Sequence, residues 1–478
     1  MRLAWFSPMP PVPSGIAACS AQIVAALADG HDIDVFVDEP VAKLAAAGAA
    51  PGDWRSAHEF PWRHRAEPYD LTVFQLGNSS HHDFLWPYLF RYPGLAVLHD
   101  GHLHHARAAA LLRTRRRNDY RAEFAAGHPD SSPDLAELAV AGFDSHLYYS
   151  WPMRRLVIQA SRLTVVHSAP LAADINEEMP GAGVGSIRLG HGELLTDTAA
   201  AAARAETRPR LGLPPDAVIF GVFGGLTPDK RIAEILEAFA AILPYAPDAH
   251  LLLAGAPAAH YDVAADVRRR GLDARVHLTG YLASERELTR SIAACDVALS
   301  LRWPTAREVS GPWLRALAAG RPTVVTDLAH LADIPSLDPR SWTLNGGGDR
   351  AAAVTVAIDI IDEAHSLRLA MRRLAADPEL RATLGAAGRA WWQREHSPDR
   401  MIEDYCRVLA EAHARPVPRP RLPRHLLDDG EAQLRTLLEK FGVPDPLGDL
   451  TSPPGSTGRA VPQPEAKSEP RGQERRAD

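Results

Sequence analysis

Apolar positions in this chain fall in short continuous runs, and stretches of helical character separate them. Residues 2–6 (RLAWF) read as a short buried strand, SPMPPVPSG as a Pro/Gly loop, Ile16–Ala28 as an Ala-rich helix and Ile33–Val37 as the next strand. A strand–loop–helix–strand unit of this kind begins a parallel α/β sheet. Further strands are predicted at Leu71–Leu76, Leu95–Leu98 and Leu163–His167, with a helix over Met153–Ser161 leading into the last. The span 106–150 differs: it is rich in Ala and Arg, has no continuous apolar strand, and reads as a mostly helical insertion or lid.

The pattern pauses over residues 195–212 (LTDTAAAAARAETRPRLG), whose weak hydrophobic periodicity predicts a linker. It then restarts, with strands at Val218–Phe223, His250–Ala254, Ala274–Leu278, Val297–Leu301 and Thr323–Thr326. Helices over Ile232–Leu243, Tyr261–Arg270 and Ser284–Ala294 lie between them. Two separate runs of alternating strand and helix imply two doubly wound, Rossmann-like domains, over residues 1–194 and 213–390. The segment 376–414 is helical again; Trp391 and Trp392 can anchor it, and its part 391–414 is expected to cross back to the first domain. A Pro/Arg-rich extension over 415–450 contains one more short helix at Glu431–Phe441. From Thr451 the chain has too few apolar residues to offset the cost of ordering and is expected to be disordered.

Composition narrows the class. A length of 478 residues, 46% hydrophobic and 23% charged, is that of a globular protein of two or three domains. A net charge of -7 gives no support to general nucleic-acid binding. Cys19, Cys295 and Cys406 lie far apart, which excludes a disulfide framework or Cys-rich zinc site and suits a reducing compartment. The N-terminal apolar run is too short for a signal peptide, and no stretch approaches the ~20 apolar residues of a spanning helix. The expectation is a cytoplasmic protein, with peripheral contact at the inner face of a membrane left open by the basic run Arg113–Arg117.

Candidate chemistry gathers at strand ends. Gly15, in Pro13-Ser14-Gly15, lets backbone approach a ligand at the start of the first helix. In GVFGGLTPDKR (221–231), Gly224 and Gly225 open space above the sheet, and Lys230 and Arg231 set two cations at a helix N-terminus. Cations there oppose the helix dipole, which suggests an anion such as a diphosphate between them. In the segment 301–322, Ser310 fits an N-cap with Pro312 in the first turn, and Gly320 ends the helix. Glu308, Ser310 and Gly311 then sit in a loop at the carboxyl edge of the sheet, where a carboxylate can bind sugar hydroxyls beside phosphate-binding N–H groups. His99 and Asp100 open HDGHLHH (99–105) at the end of the Leu95–Leu98 run, with His81 and His82 as a weaker echo. Substrate contact, structural histidines and a metal site are the three readings open to this run; the spacing favours cleft residues over zinc ligands.

Together, Pro13-Ser14-Gly15, Gly224-Gly-Leu-Thr-Pro-Asp-Lys230 and Glu308 through Pro322 resemble the motifs of the retaining glycosyltransferases of family four. The Gly280-Tyr281 turn and Ala294-Cys-Asp296 resemble the segment that caps the donor base. The resemblance covers about residues 1–412 and implies a GT-B fold of two Rossmann-like domains facing a cleft. It departs at two positions, with Arg315 where the family keeps a second glutamate and Gly225 where it keeps an arginine.

The implied function is sugar transfer, with retention of anomeric configuration, from a UDP-, GDP- or ADP-sugar to a glycan, lipid or small-molecule acceptor. His99, Lys230 and Glu308 would be catalytic. Gly15, Asp100, Gly224, Gly225, Arg231, Gly280, Tyr281, Ser310, Gly311 and Arg315 would bind the donor, with no metal or cofactor and no nucleic-acid partner. A GT-B sugar-nucleotide epimerase or phosphorylase, or a degenerate nucleotide-sugar-binding protein, stands as the alternative.

Overall fold

The computed structural model describes residues 1–38, 54–143, 147–282, 284–345, 352–428 and 436–442. Residues 431–435 of the expected helix Glu431–Phe441 and all of the expected tail from Thr451 lie outside them. Met1–Leu427 form one compact unit that contains two sheets.

The first sheet has the order β3-β2-β1-β4-β5-β6-β7. Its strands are β1 (Arg2–Phe6), β2 (Asp32–Val37), β3 (Trp54–Ser56), β4 (Leu71–Leu76), β5 (Leu95–Leu98), β6 (Leu163–Val166) and β7 (Gly185–Ser186). Each neighbouring pair runs parallel. A parallel sheet covered by helices buries both faces, which is why these strands are apolar without alternation; β4 and β5 are buried along their whole length.

The second sheet has the order β10-β9-β8-β11-β12-β15-β13-β14. It comprises β8 (Ile219–Phe223), β9 (His250–Ala254), β10 (Val276–Leu278), β11 (Val297–Ser300), β12 (Thr323–Thr326), β13 (Ser336–Leu337), β14 (Leu344–Asn345) and β15 (Thr355–Ile358). Only the short β13–β14 pair is antiparallel among the described pairings. Strand order reverses at β1 and again at β8, so the loops after β1, β4, β8 and β11 open at the switch points where doubly wound sheets bind ligands.

One apolar cluster joins the two sheets: Trp5 and Leu3 of the first share it with Trp313, Trp392 and Tyr405 of the second half. The helix Pro398–Ala414 lies on the first sheet, where Asp404 accepts from the Arg188 Nε at 2.8 Å and Nη2 at 3.1 Å. Tyr405 stands 5.8 Å from Trp5, ring to ring, and the Trp392 Nε1 donates to His191 O at 2.7 Å. The insertion folds as short helices over His104–Arg113, Arg117–Gly127, Asp134–Val140 and Leu147–Ser150, around a small core of its own that includes Tyr120 and Phe124.

Residues 195–212, expected as a linker, instead carry the helix Asp197–Arg210. Alanine is the strongest helix former and leaves no hydrophobic stripe, so the run is helical without showing periodicity. Thr196 caps it by accepting from Ala199 N, and Arg208 ties it to Asp296 at 2.8 Å.

Candidate active site

The loops after β8 and β11 converge on a narrow cavity at the carboxyl edge of the second sheet, lined by Lys230, Arg302, Glu308, Ser310, Thr326 and His330 among others. Gly224 adopts a φ of +85° at the end of β8, and a Cβ there would stand 2.7 Å from the Lys230 Nζ. Only glycine therefore lets the lysine fold back over the strand end, where its ammonium donates to Phe223 O at 2.7 Å. Burial, followed by the charge of Arg302, pulls the Lys230 pKa down from 10.5 to about 7. An ammonium this destabilised gains most from an incoming anion.

Arg302 stands two residues beyond the end of β11 and is the second cation of the cavity. Its guanidinium pairs with Asp229 and, through Nε, with Glu308 Oε1 at 2.6 Å. Thr305 Oγ1 donates to the other Glu308 oxygen at 3.1 Å. Ser310 caps the helix Gly311–Ala318 by accepting from Trp313 N at 3.3 Å, which aims that helix's N-terminus at the same space.

The first half closes over this loop. His102 N donates to Ala306 O at 3.1 Å, Arg307 pairs with Asp174 at 2.8 Å, and Ser168 Oγ donates to His330 O at 2.7 Å. Asp100 accepts from Asn78 N at 2.6 Å, and its pKa is raised first by burial and then by the neighbouring Glu308 carboxylate. Asp100 therefore stands close enough to Glu308 for each carboxylate to feel the other's charge. Gly15 opens the first helix, exposed and with free space where a Cβ would be.

Several residues singled out from sequence do not join this group. Arg231 has a φ of +58° and turns its guanidinium to Glu363 at 2.6 Å and to Glu234 at 2.7 Å. The clash with the helix dipole that pointed to a bound anion is thus relieved by two carboxylates of the fold itself. His99 spends both ring nitrogens inside the first half, with Nε2 2.7 Å from Gln75 Oε1 and Nδ1 3.1 Å from His167 Nε2. Gln75 Oε1 can only accept, so Nε2 carries the proton and Nδ1 accepts from His167. Burial, then His167, holds the imidazole neutral by driving its pKa well below its usual value. The catalytic role expected of His99 has no free ring nitrogen to act through, and Asp100 is the group that reaches the cleft.

Arg315 pairs with Glu285 at 2.5 Å and approaches His191 at 3.4 Å, so a carboxylate from a neighbouring helix meets the arginine. Gly311 packs against the His191 ring, which would stand 3.2 Å from the Cβ of any other residue there. Gly225 is exposed with nothing within 4 Å of its Cβ position. Gly280 (φ +69°) and Tyr281, 64% exposed, follow β10, two strands from β8 and outside the cavity.

His82 and His104 serve the fold. His82 is fully buried with Nδ1 2.9 Å from Gln75 O, and His104 joins Trp151 O and the Tyr120 hydroxyl. Among the described residues no three His, Cys, Asp or Glu side chains are placed to hold a metal ion. The basic run is partly neutralised by its own acids, with Arg116 on Asp119 and Arg121 on Glu137. No described helix is long and apolar enough to cross a membrane.

A model of the glycosyl transferases group 1 family matches residues 217–358, the stretch that holds this cavity. Among solved structures, the Anabaena protein HepE in complex with UDP-glucose superposes with a TM-score of 0.58 at 15% identity, over 86% of this chain and 99% of its own. A glycosyltransferase from Rickettsia africae gives 0.56 at 12% identity, over 86% and 98%. WaaG, a glycosyltransferase involved in lipopolysaccharide biosynthesis, gives 0.55 at 14% identity, over 86% and 99%. The fold is GT-B. No curated protein matches the sequence significantly. In GT-B terms, the cavity lies on the second lobe's edge of the interlobe cleft, with Asp100 on the first lobe's edge.

Arg302, Asp229 and Asn78 were not singled out from sequence. A charged residue directly after an apolar run such as Val297–Leu301 is the signal for Arg302, because strand carboxyl ends face the ligand.

Proposed function

We propose that the protein is a glycosyltransferase that uses a nucleoside-diphosphate sugar, with Lys230 and Arg302 as its diphosphate-binding cations. The observation that carries this reading is their convergence with Glu308 at the N-terminus of the helix Gly311–Ala318, inside the segment that matches the group 1 family. UDP-glucose bound to the similarly folded HepE supports a nucleotide-sugar donor.

In this reading the diphosphate lies against Lys230, Arg302 and the helix N-terminus, and Glu308 accepts from sugar hydroxyls. Arg302 takes the place that the sequence suggested for Arg231. The bond from the anomeric carbon to the diphosphate oxygen breaks, and the oxygen leaves with the electron pair. Lys230 and Arg302 stabilise that charge. The acceptor oxygen bonds to the same face of the anomeric carbon, which retains its configuration, and its proton passes to the departing phosphate. Asp100 closes the sugar pocket from the first lobe. No metal or organic cofactor is assigned, because the two cations supply the positive charge the leaving group needs.

The test is incubation with UDP-, GDP- and ADP-sugars and a set of acceptors, with the anomeric proton of the first product read by NMR. A retained anomer supports the proposal; an inverted one overturns retention. Conversion of the nucleotide sugar with no acceptor present would favour an epimerase instead.

A further inference from the structure

The insertion that follows His104 brings Tyr149, on the short helix Leu147–Ser150, to the rim of the same cleft. A chain of contacts fixes it there. Asp100 accepts from Asn78 N at 2.6 Å; Asn78 Oδ1 accepts from Ala106 N at 2.9 Å; and the Asn78 amide meets His105 Nδ1 at 3.1 Å. The His105 ring then packs 4.8 Å from the Tyr149 ring at 67°. The phenol is half-buried, and its hydroxyl lies close enough to Asp229, Glu308 and Arg302 to feel their charges. Burial first, then Asp229 and Glu308, keeps it neutral by raising its pKa to about 12.

The rim beside the sugar pocket is therefore an aromatic ring set among an amide, an imidazole and a carboxylate. A lipid chain would need a continuous apolar groove, which this wall interrupts with polar groups. A pyranose has the matching pattern, with one face of C–H bonds and hydroxyls around its edge. Aromatic rings with nearby hydrogen-bonding groups suit ligands of that mixed character. We infer that Tyr149, with Asn78 and His105, forms the acceptor subsite, and that the acceptor is a pyranoside whose apolar face lies on the Tyr149 ring. This rests on the glycosyltransferase reading above, and it gives the insertion a role in choosing the acceptor.

The probe is a set of methyl β-D-gluco-, galacto- and mannopyranosides, observed by saturation-transfer NMR on the full chain in the presence of UDP. Wild type should saturate the C–H face of at least one sugar. Tyr149→Ala should weaken that sugar's binding about tenfold, and Tyr149→Phe should stay within about threefold, because stacking needs the ring. A UDP-induced thermal shift equal to wild type would show that Tyr149→Ala is folded. Equal saturation transfer in wild type and Tyr149→Ala overturns the subsite. So does sugar transfer onto dioleoylglycerol in phosphatidylcholine vesicles that Tyr149→Ala leaves undiminished. A wild-type protein that binds no nucleoside diphosphate overturns the donor reading, and the subsite with it.

Discussion

Arg302 holds Glu308 by its Nε at 2.6 Å, across the loop that leads from β11 into the helix Gly311–Ala318. The cation proposed for the diphosphate and the carboxylate proposed for the sugar are thus each other's partner. On the proposed function, a diphosphate arriving beside Lys230 would compete with Glu308 for the guanidinium and free the carboxylate to accept from sugar hydroxyls. Binding the leaving group and orienting the sugar become one event.

Glu308→Gln should separate the two roles. The amide keeps the side chain's shape but loses its charge, so sugar transfer should fall at least about 100-fold, an effect of the size seen when a charged contact to a reacting group is lost. UDP affinity should hold or tighten, because Arg302 is no longer shared. Parallel turnover and binding assays check this; a weakened UDP affinity with intact turnover would contradict it.

Donor binding should carry a proton-uptake signature. The Lys230 pKa, lowered to about 7, must rise when a diphosphate sits beside the ammonium. Below pH 7 the lysine is already charged and no proton is needed. Above pH 7, binding draws a proton, and affinity should fall by up to about tenfold per pH unit. Calorimetric titrations of nucleoside diphosphate at pH 8, in buffers of different ionisation enthalpy, should show net uptake approaching one proton. Uptake of none would mean that Lys230 does not meet the phosphate.

Gly224→Ala should damage the site without entering it. The new Cβ would stand 2.7 Å from the Lys230 Nζ, at a φ of +85° that alanine rarely adopts. A stability loss of about 1–3 kcal/mol is expected from the strained backbone, with donor affinity lost alongside it. Thermal melting and titration read the two effects; an unchanged donor affinity would show that the lysine's position is not held by this glycine.

Arg231→Met should do the reverse. It leaves Glu363, whose side chain is 8% exposed, without its bidentate partner. The expected cost is about 3 kcal/mol of stability, with donor affinity unchanged. A stable variant with weakened donor binding would return Arg231 to the site.

The sheets were legible because parallel strands buried on both faces are written as unbroken apolar runs; Leu71–Leu76, Leu95–Leu98, His250–Ala254 and Thr323–Thr326 are strands over the residues predicted. β7, β13 and β14, of two residues each, were too short to stand out. The loops that bring Lys230, Glu308 and Ser310 to one cavity were legible because glycine, proline and capping residues mark them. Arg231 and His99 have partners in the fold that the sequence does not show, for one shared reason. Sequence shows that a charge or an imidazole stands at a strand or helix end, but not that Glu363, over a hundred positions away, or Gln75 and His167 already satisfy it. Tyr149 stayed hidden because its place depends on how His105 and Asn78 pack.

The decisive measurement is calorimetric titration of UDP, GDP and ADP into wild type, Arg302→Met and Arg231→Met. The expected result is that wild type binds at least one nucleoside diphosphate, Arg302→Met loses about 10- to 100-fold in affinity for it, and Arg231→Met keeps it. Equal binding by Arg302→Met, or loss confined to Arg231→Met, would contradict the assignment of the site.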